Sequence, residues 1–316
     1  VNDSLSSMQL GMIPNEDIDT YHSSKAISNT KLKFFKDNFP LKYYQKYIAK
    51  VLTPEPRKAH FDFGHALEAR VYGERAFEAL VSISPYNDYK KDAAKHWRNE
   101  QWAAGKIVLS PDEDLLCSRC YDAVMGNPDA RAIVEASHPQ VTFRAKLSTV
   151  AVQCRSDLWC PAGVTLPSDG FETGPFDCDI KTTESISPGA FMGFDKQACE
   201  LGYHHAAVFY RYVIRLALAG QYAVEETEIP FVRRLFIVVD KQEWPSCTVY
   251  SLPDELLELA EKELIGTEYE PGILPRLVSC YRENSWPGAP VRKAIEPSGW
   301  IKRKLKPAPQ EFYAWA

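Results

Sequence analysis

The chain has 316 residues, 45% of them hydrophobic, enough for one large domain or two small ones with a sizeable core. A formal net charge of -5 excludes a molecule that coats polyanions with its whole surface, while leaving room for a local basic channel. The first residues lack a basic-then-apolar signal pattern, and the most apolar stretch, 206–220, is interrupted by Arg211 and Arg215. A soluble, cytoplasmic protein with no membrane partner is expected.

Residues 1–20 are polar and acidic without a period and predict a flexible leader. Ser28-Asn29-Thr30 offers N-caps for a helix carrying Leu32, Phe34 and Phe35, which Pro40 stops, and Tyr43, Tyr44 and Tyr47 suggest a second helix. Residues 61–80 read as one long helix whose Phe63, Leu67 and Val71 face inward, with Glu68 on or beside that face. A loop and a short surface helix are expected over 82–106, then helices over 112–125 and 127–136 joined at Gly126-Asn127-Pro128. Alternation and β-branched residues predict strands over 141–147, 148–159 and 176–182, forming an antiparallel meander. The helical period returns over 193–219, where Tyr203, Ala206, Ala207, Tyr210 and Ile214 form one stripe. Strands at 235–240 and 247–252 and an amphipathic helix at 254–264 follow. The remainder shows loop chemistry without an obvious core and ends in a basic tail, 291–316. The pattern predicts an α/β (α+β) chain with one domain over 21–290, helical in its N-terminal part.

Eight cysteines at irregular spacings predict reduced thiols rather than a disulfide framework. Cys117-x-x-Cys120 lies in a helical stretch, and no second pair completes a zinc tetrahedron. Two basic clusters, Lys31 with Lys33 and Lys36, and Lys302 with Arg303, Lys304 and Lys306, are either phosphate-contacting arms or solvated faces.

Asp157, Asp179 and Lys181 carry the sharpest chemical signal. The side-chain period of a strand is two, so Asp179 and Lys181 share a face, and Asp157 on the neighbouring strand can meet them. Two or three carboxylates with the backbone carbonyl of Ile180 suit Mg²⁺, which prefers oxygen ligands and keeps several waters. Lys181 can orient a water or stabilise charge on phosphate oxygens. Asp-x-Lys is short, however, and Asp88-Tyr89-Lys90 repeats it in an expected surface loop. An isolated copy is more often a salt bridge at a strand end.

The neighbouring residues resemble the exonuclease VIII (RecE-type) family of the PD-(D/E)xK nuclease superfamily, which is related to the lambda-type phage exonucleases. The resemblance runs from about Tyr21 to Trp286. It rests on Tyr21-His22, Ile27-Ser28-Asn29-Thr30-Lys31-Leu32, Phe63-Gly64-His65-Ala66-Leu67-Glu68 and Gly105-Lys106-Ile107-Val108-Leu109-Ser110. Arg155-Ser156-Asp157, Asp179-Ile180-Lys181-Thr182-Thr183, Gly202-Tyr203-His204 and Phe209-Tyr210 complete it. It implies a restriction-endonuclease-like core, a central mixed sheet with an antiparallel meander flanked by helices.

The resemblance also implies a site in which Glu68, Asp157 and Asp179, with the Ile180 carbonyl, hold Mg²⁺, Mn²⁺ being able to substitute, and Lys181 assists. Relatives commonly place histidine at the position of Glu68, and the lambda-type enzymes glutamate. They place glutamine at the position of Ala206, where His204 or His205 is a candidate substitute. Arg155, Thr182, Thr183, His204, His205 and Tyr210 are candidate DNA contacts. The implied activity is digestion of duplex DNA from an end, 5′ to 3′, by a homo-oligomeric ring in a bacterial cell carrying phage or prophage, leaving a 3′ strand for a single-strand annealing protein. Some related nucleases hold an iron-sulfur cluster, but Cys199, Cys247 and Cys280 are spaced too widely for its usual late group. A catalytically inactive DNA-binding member, or an endonuclease or defence nuclease, stays open as an alternative.

Overall fold

The computed structural model describes residues 8–53, 60–187 and 193–290, with only the backbone described at 60 and 61. In chain order the elements are β1 (Gly11–Pro14), α1 (Ile18–Ser23), α2 (Asn29–Asp37), α3 (Pro40–Tyr43), α4 (His60–Val71), α5 (Glu74–Leu80), β2 (Val81–Ile83), α6 (Asp92–Ala103) and β3 (Ile107–Leu109). They continue with α7 (Pro111–Gly126), α8 (Pro128–Ala136), β4 (His138–Leu147), β5 (Val150–Cys160), β6 (Phe176–Thr183), α9 (Phe194–Glu200) and α10 (Tyr203–Tyr222). The chain closes with β7 (Arg233–Asp240), β8 (Cys247–Ser251), α11 (Asp254–Leu264) and α12 (Ile273–Glu283).

Six strands form one mixed sheet in the order β1-β4-β5-β6-β7-β8. β4, β5 and β6 are the expected antiparallel meander, whereas β6 and β7 run parallel, joined through α9 and α10. The sheet separates two apolar layers. In β7, Leu235, Ile237 and Val239 pack towards α4 and α7, while Phe236 and Val238 meet Phe194 on the opposite side. α2, α10, α11 and α12 cover the far side of β4 and β5. A strand buried on both faces reads as a continuous apolar run rather than an alternation, which is how 235–239 reads.

Local chemistry sets the helix ends. Ser28 caps α2 by accepting the Lys31 N–H, and Ser110 with Glu113 forms a capping box at α7. Asn127 caps α8, its Oδ1 accepting the Asp129 and Ala130 N–H groups at 3.0 Å each. Gly73, at φ +118, divides the expected 61–80 helix into α4 and α5, and Gly202, at φ +73, divides 193–219 into α9 and α10.

Two further expectations need correction. Residues 11–14, expected in a flexible leader, form β1 on the sheet edge, held further by the paired Arg144 and Glu16 side chains at 2.9 Å. The stretch after residue 264, expected to lack a core, forms α12, which buries Leu274, Leu277 and Val278. The predicted basic tail, with Lys302, Arg303, Lys304 and Lys306, lies outside the described residues. Among the described residues no helix is long and apolar enough to cross a membrane.

Candidate active site at the split between β5 and β6

β5 and β6 pair only over Leu158–Cys160 and Phe176–Cys178, and β6 then continues to Thr183 beside β7 alone. The two strands part at that point. Ile180 N–H faces the gap, where a ladder partner would otherwise stand, and the Asp157 carboxylate accepts it at 3.2 Å. Asp157 also stands close enough to Asp179 for each carboxylate to act on the other's ionisation.

Asp179 and Lys181 share a face, as a period of two requires, and their side chains meet at 2.6 Å. Lys181 Nζ also lies 3.5 Å from the Ile180 carbonyl. The other Asp179 oxygen is 2.9 Å from Arg234, which pairs with Asp177 as well. Arg234 lies on the parallel neighbour β7 opposite Asp177, so one guanidinium reaches two carboxylates two residues apart. The Tyr210 ring covers it, 4.0 Å from centroid to guanidinium carbon. Glu68 enters from α4. Gly64, one turn earlier, faces β6, where a Cβ would make ordinary contact with Thr182 Oγ1 at 3.9 Å.

Electrostatics divides these groups. Burial pushes Glu68 up to about 7, Lys181 opposing and Asp179 adding to the rise. Asp157 is raised well above its ordinary range by burial and by Glu68 and Asp179. Burial also acts to raise Asp179, but Lys181 and Arg234 outweigh it and hold the carboxylate below its ordinary value. Burial alone would lower Lys181; Asp179, Asp157 and Glu68 overcome it and keep the ammonium charged. Asp177 is raised to about 6 by burial despite Arg234.

Four recessed acids thus face two cations. These oxygen donors have the chemistry for a hard divalent cation, and Glu68, Asp157, Asp179 and the Ile180 carbonyl would hold it. The ligand geometry is not preset: among the described residues no three His, Cys, Asp or Glu side chains are arranged as a metal cluster. Both Asp179 oxygens and one of Asp157 are instead occupied by Lys181, Arg234 and the Ile180 N–H.

The other candidates are scattered. Thr182 lies against Gly64, and Thr183 is buried, its hydroxyl 3.4 Å from both the Ser185 carbonyl and Gln197. Arg155 Nε donates to Gln140 at 2.5 Å, and its Nη1 to the Glu16 carbonyl at 2.7 Å. His204 and His205 line a separate cavity of about 260 Å³ between α2, α10 and α11. There His205 lies 2.6 Å from Glu263 and 3.3 Å from Lys36. Lys31 and Lys33 donate to the carbonyls of Ser24, Ala26 and Leu201, so this cluster is tied to the protein's own backbone. Asp88 and Lys90 pair loosely at 3.8 Å on an exposed loop. Cys117 and Cys120 are buried in α7, and burial raises both thiols, to about 11 and about 12.

Sequence reasoning missed Asp177, Arg234, Tyr72 and Gln140. Asp177 had a signal, being two residues before Asp179 on the same face. Tyr72 had another, one helical turn after Glu68. Arg234 and Gln140 acquire their places only through strand register.

No family model matches the chain, and no curated protein matches it. Among solved structures, SSO0001 is 12% identical over 66% of this chain and 85% of that chain, but its TM-score of 0.23 is too low to bear on the fold. A "Putative exonuclease" from Eubacterium rectale is 10% identical, covers 95% of this chain and 100% of that chain, and superposes with a TM-score of 0.57. At that identity the likeness speaks for the architecture alone: this chain's mixed α/β fold, built on a central six-stranded sheet flanked by helices, is similar to that protein's fold.

Proposed function

We propose that this protein is a Mg²⁺-dependent deoxyribonuclease that hydrolyses phosphodiester bonds of duplex DNA from an end. The observation that carries this reading is the meeting of Glu68, Asp157, Asp179 and Lys181 at the split between β5 and β6. The fold shared with a chain described as an exonuclease supports it.

Each residue has a distinct task. Asp179, ionised and clamped from two sides, supplies a fixed carboxylate. Glu68 and Asp157, which burial and mutual repulsion burden with protons, would give those protons up to a cation and hold it as carboxylates. Lys181 stays an ammonium, so it orients water and stabilises charge growing on the phosphate oxygens rather than accepting a proton. When bound, Mg²⁺ supplies acidity for water and screens the phosphate. The finer reading is 5′ to 3′ digestion by a ring-shaped homo-oligomer in the bacterial cytoplasm, which hands a 3′ strand to an annealing protein during recombination. It rests on the motif resemblance.

Incubation of the purified protein with linear and closed circular duplex, in Mg²⁺ and in chelator, tests the proposal. Nucleotide release from linear DNA alone, in Mg²⁺ alone, is expected; cleavage of the circle would make it an endonuclease. One observation favours a non-catalytic DNA-binding role: Lys181 and Arg234 already engage both Asp179 oxygens. Chelator-insensitive binding without cleavage would select that role.

A further inference from the structure

Tyr72 follows α4 directly and closes its last turn, its N–H donating to the Glu68 carbonyl at 3.0 Å. Glu68 and Tyr72 therefore project from the same side of that turn. Asp157, Glu68 and Asp179 all act electrostatically on the phenol, which places it at the acid recess.

Its only hydrogen-bond partner among the described residues is Gln140, at 2.6 Å. Gln140 occupies an unusual position. β4 pairs Pro139 with Leu158 and Val141 with Ser156, so Gln140 stands opposite Asp157, and it does so at φ +54. A side-chain-bearing residue rarely adopts that left-handed conformation within a strand, and such strain gathers at functional sites. Here it sends the amide across to bridge Tyr72 and Arg155.

The bridge has a direction. A guanidinium can only donate, so the Gln140 atom that Arg155 Nε reaches must be the carbonyl oxygen. The Gln140 NH₂ group then faces Tyr72 and must donate. The Tyr72 oxygen accepts, and its own proton is turned away from Gln140. Among the described residues no acceptor takes that proton. Arg155 is itself fixed by its bond to the Glu16 carbonyl, so the polarity of the chain is set from the far end.

We propose that Tyr72 is a catalytic residue, its hydroxyl donating a hydrogen bond to a non-bridging oxygen of the scissile phosphate as negative charge grows there in the transition state, and that Gln140 and Arg155 are positioning residues that hold the donor in that direction. This rests on the phosphodiesterase reading above.

Two substitutions separate polarity from packing. Tyr72→Phe removes the hydroxyl. Gln140→Glu keeps the link to Arg155 but presents Tyr72 with an acceptor, turning the hydroxyl proton away from the recess. Single-turnover cleavage of linear duplex in Mg²⁺ is expected to slow about 10- to 100-fold in each, the range for one hydrogen bond to charged oxygen. DNA affinity in chelator should stay within about twofold, and the double variant should be no slower than either single one, because both remove the same bond. Sulfur in place of the contacted phosphate oxygen should slow the wild type in one diastereomer and cost Tyr72→Phe little more.

Wild-type rates in both variants, additive losses in the double variant, or an undiminished sulfur effect in Tyr72→Phe would overturn the proposal. Should Tyr72→Phe fail to fold, Gln140→Glu, which retains the phenol, decides alone. Wild-type protein that cleaves no DNA removes the nuclease reading and this one with it. Wild-type cleavage with unaffected variants removes only this one.

Discussion

The Asp157 carboxylate accepts the Ile180 N–H at the point where β5 and β6 part. One side chain thus serves the backbone of the split and the chemistry beside it, and substitutions can separate the two tasks. Asp157→Asn keeps an acceptor for Ile180 and should fold normally while losing at least about a hundredfold in cleavage rate, a typical loss for a preorganised electrostatic group. Asp157→Ala leaves the N–H unpaired and should lose about 1–3 kcal/mol of stability in addition. Urea unfolding beside cleavage assays distinguishes them; equal stability in both variants would remove the backbone role.

Arg234 stands between Asp177 and Asp179, with its side chain 6% exposed. Removing one partner of such a buried pair strands the other charges, so Arg234→Met should destabilise the fold by about 3–5 kcal/mol. Arg234→Lys keeps the charge but cannot fork to two carboxylates, and should recover only part of the loss. Thermal and denaturant unfolding measure both; a neutral Arg234→Met would show that the pair contributes nothing.

pH and metal should act together on stability. Glu68 rises from 4.5 to about 7 on folding, and Asp157 also rises, so the metal-free folded state holds protons that the unfolded chain has released. Stability is therefore fully present below about 4.5 and falls as pH rises through about 7. Asp179 moves the other way, and its contribution disappears only in strong acid. In chelator, Tm should drop between pH 5 and pH 8. Mg²⁺ should restore it at pH 8 and do little at pH 5, where protons occupy the acids. A Tm that ignores both pH and Mg²⁺ would contradict this.

Gly64 lies where α4 faces β6. A single methyl would make only ordinary contact with Thr182 Oγ1 at 3.9 Å, so Gly64→Ala should fold, gain up to about 1 kcal/mol of helix propensity and keep its activity. Gly64→Leu pushes the helix outward and moves Glu68 from Asp157, so cleavage should fall further than stability. Circular dichroism and cleavage rates compare the two.

The parts of the site that depend on local pattern were legible in the sequence. Asp179 and Lys181 share a face because strands have a period of two, and the turn before β6 brings Asp157 beside them. Glu68 followed from the helix pattern and the resemblance together. Ser28 announced one helix by its capping chemistry, and Gly126-Asn127-Pro128 marked the join between two more. Arg234 was not legible, because its partners arise from a parallel register between strands more than fifty positions apart. Gln140 was hidden because no pattern signals a left-handed glutamine within a strand. β1 has only Met12 and Ile13 between a glycine and a proline, too little for a periodic signal. α12 is a different case: Leu274, Leu277 and Val278 carry helical spacing, obscured by the surrounding Gly and Pro residues.

If Glu68, Asp157, Asp179 and Lys181 together hydrolyse DNA, digestion of 5′- and 3′-end-labelled linear duplex in Mg²⁺ by the wild type and Lys181→Ala shows it and reports polarity as well. Rapid Mg²⁺-dependent release of label by the wild type, beginning at the 5′ end, is expected, with a loss of at least about a hundredfold in the variant. No release by either protein, or equal release by both, would contradict it.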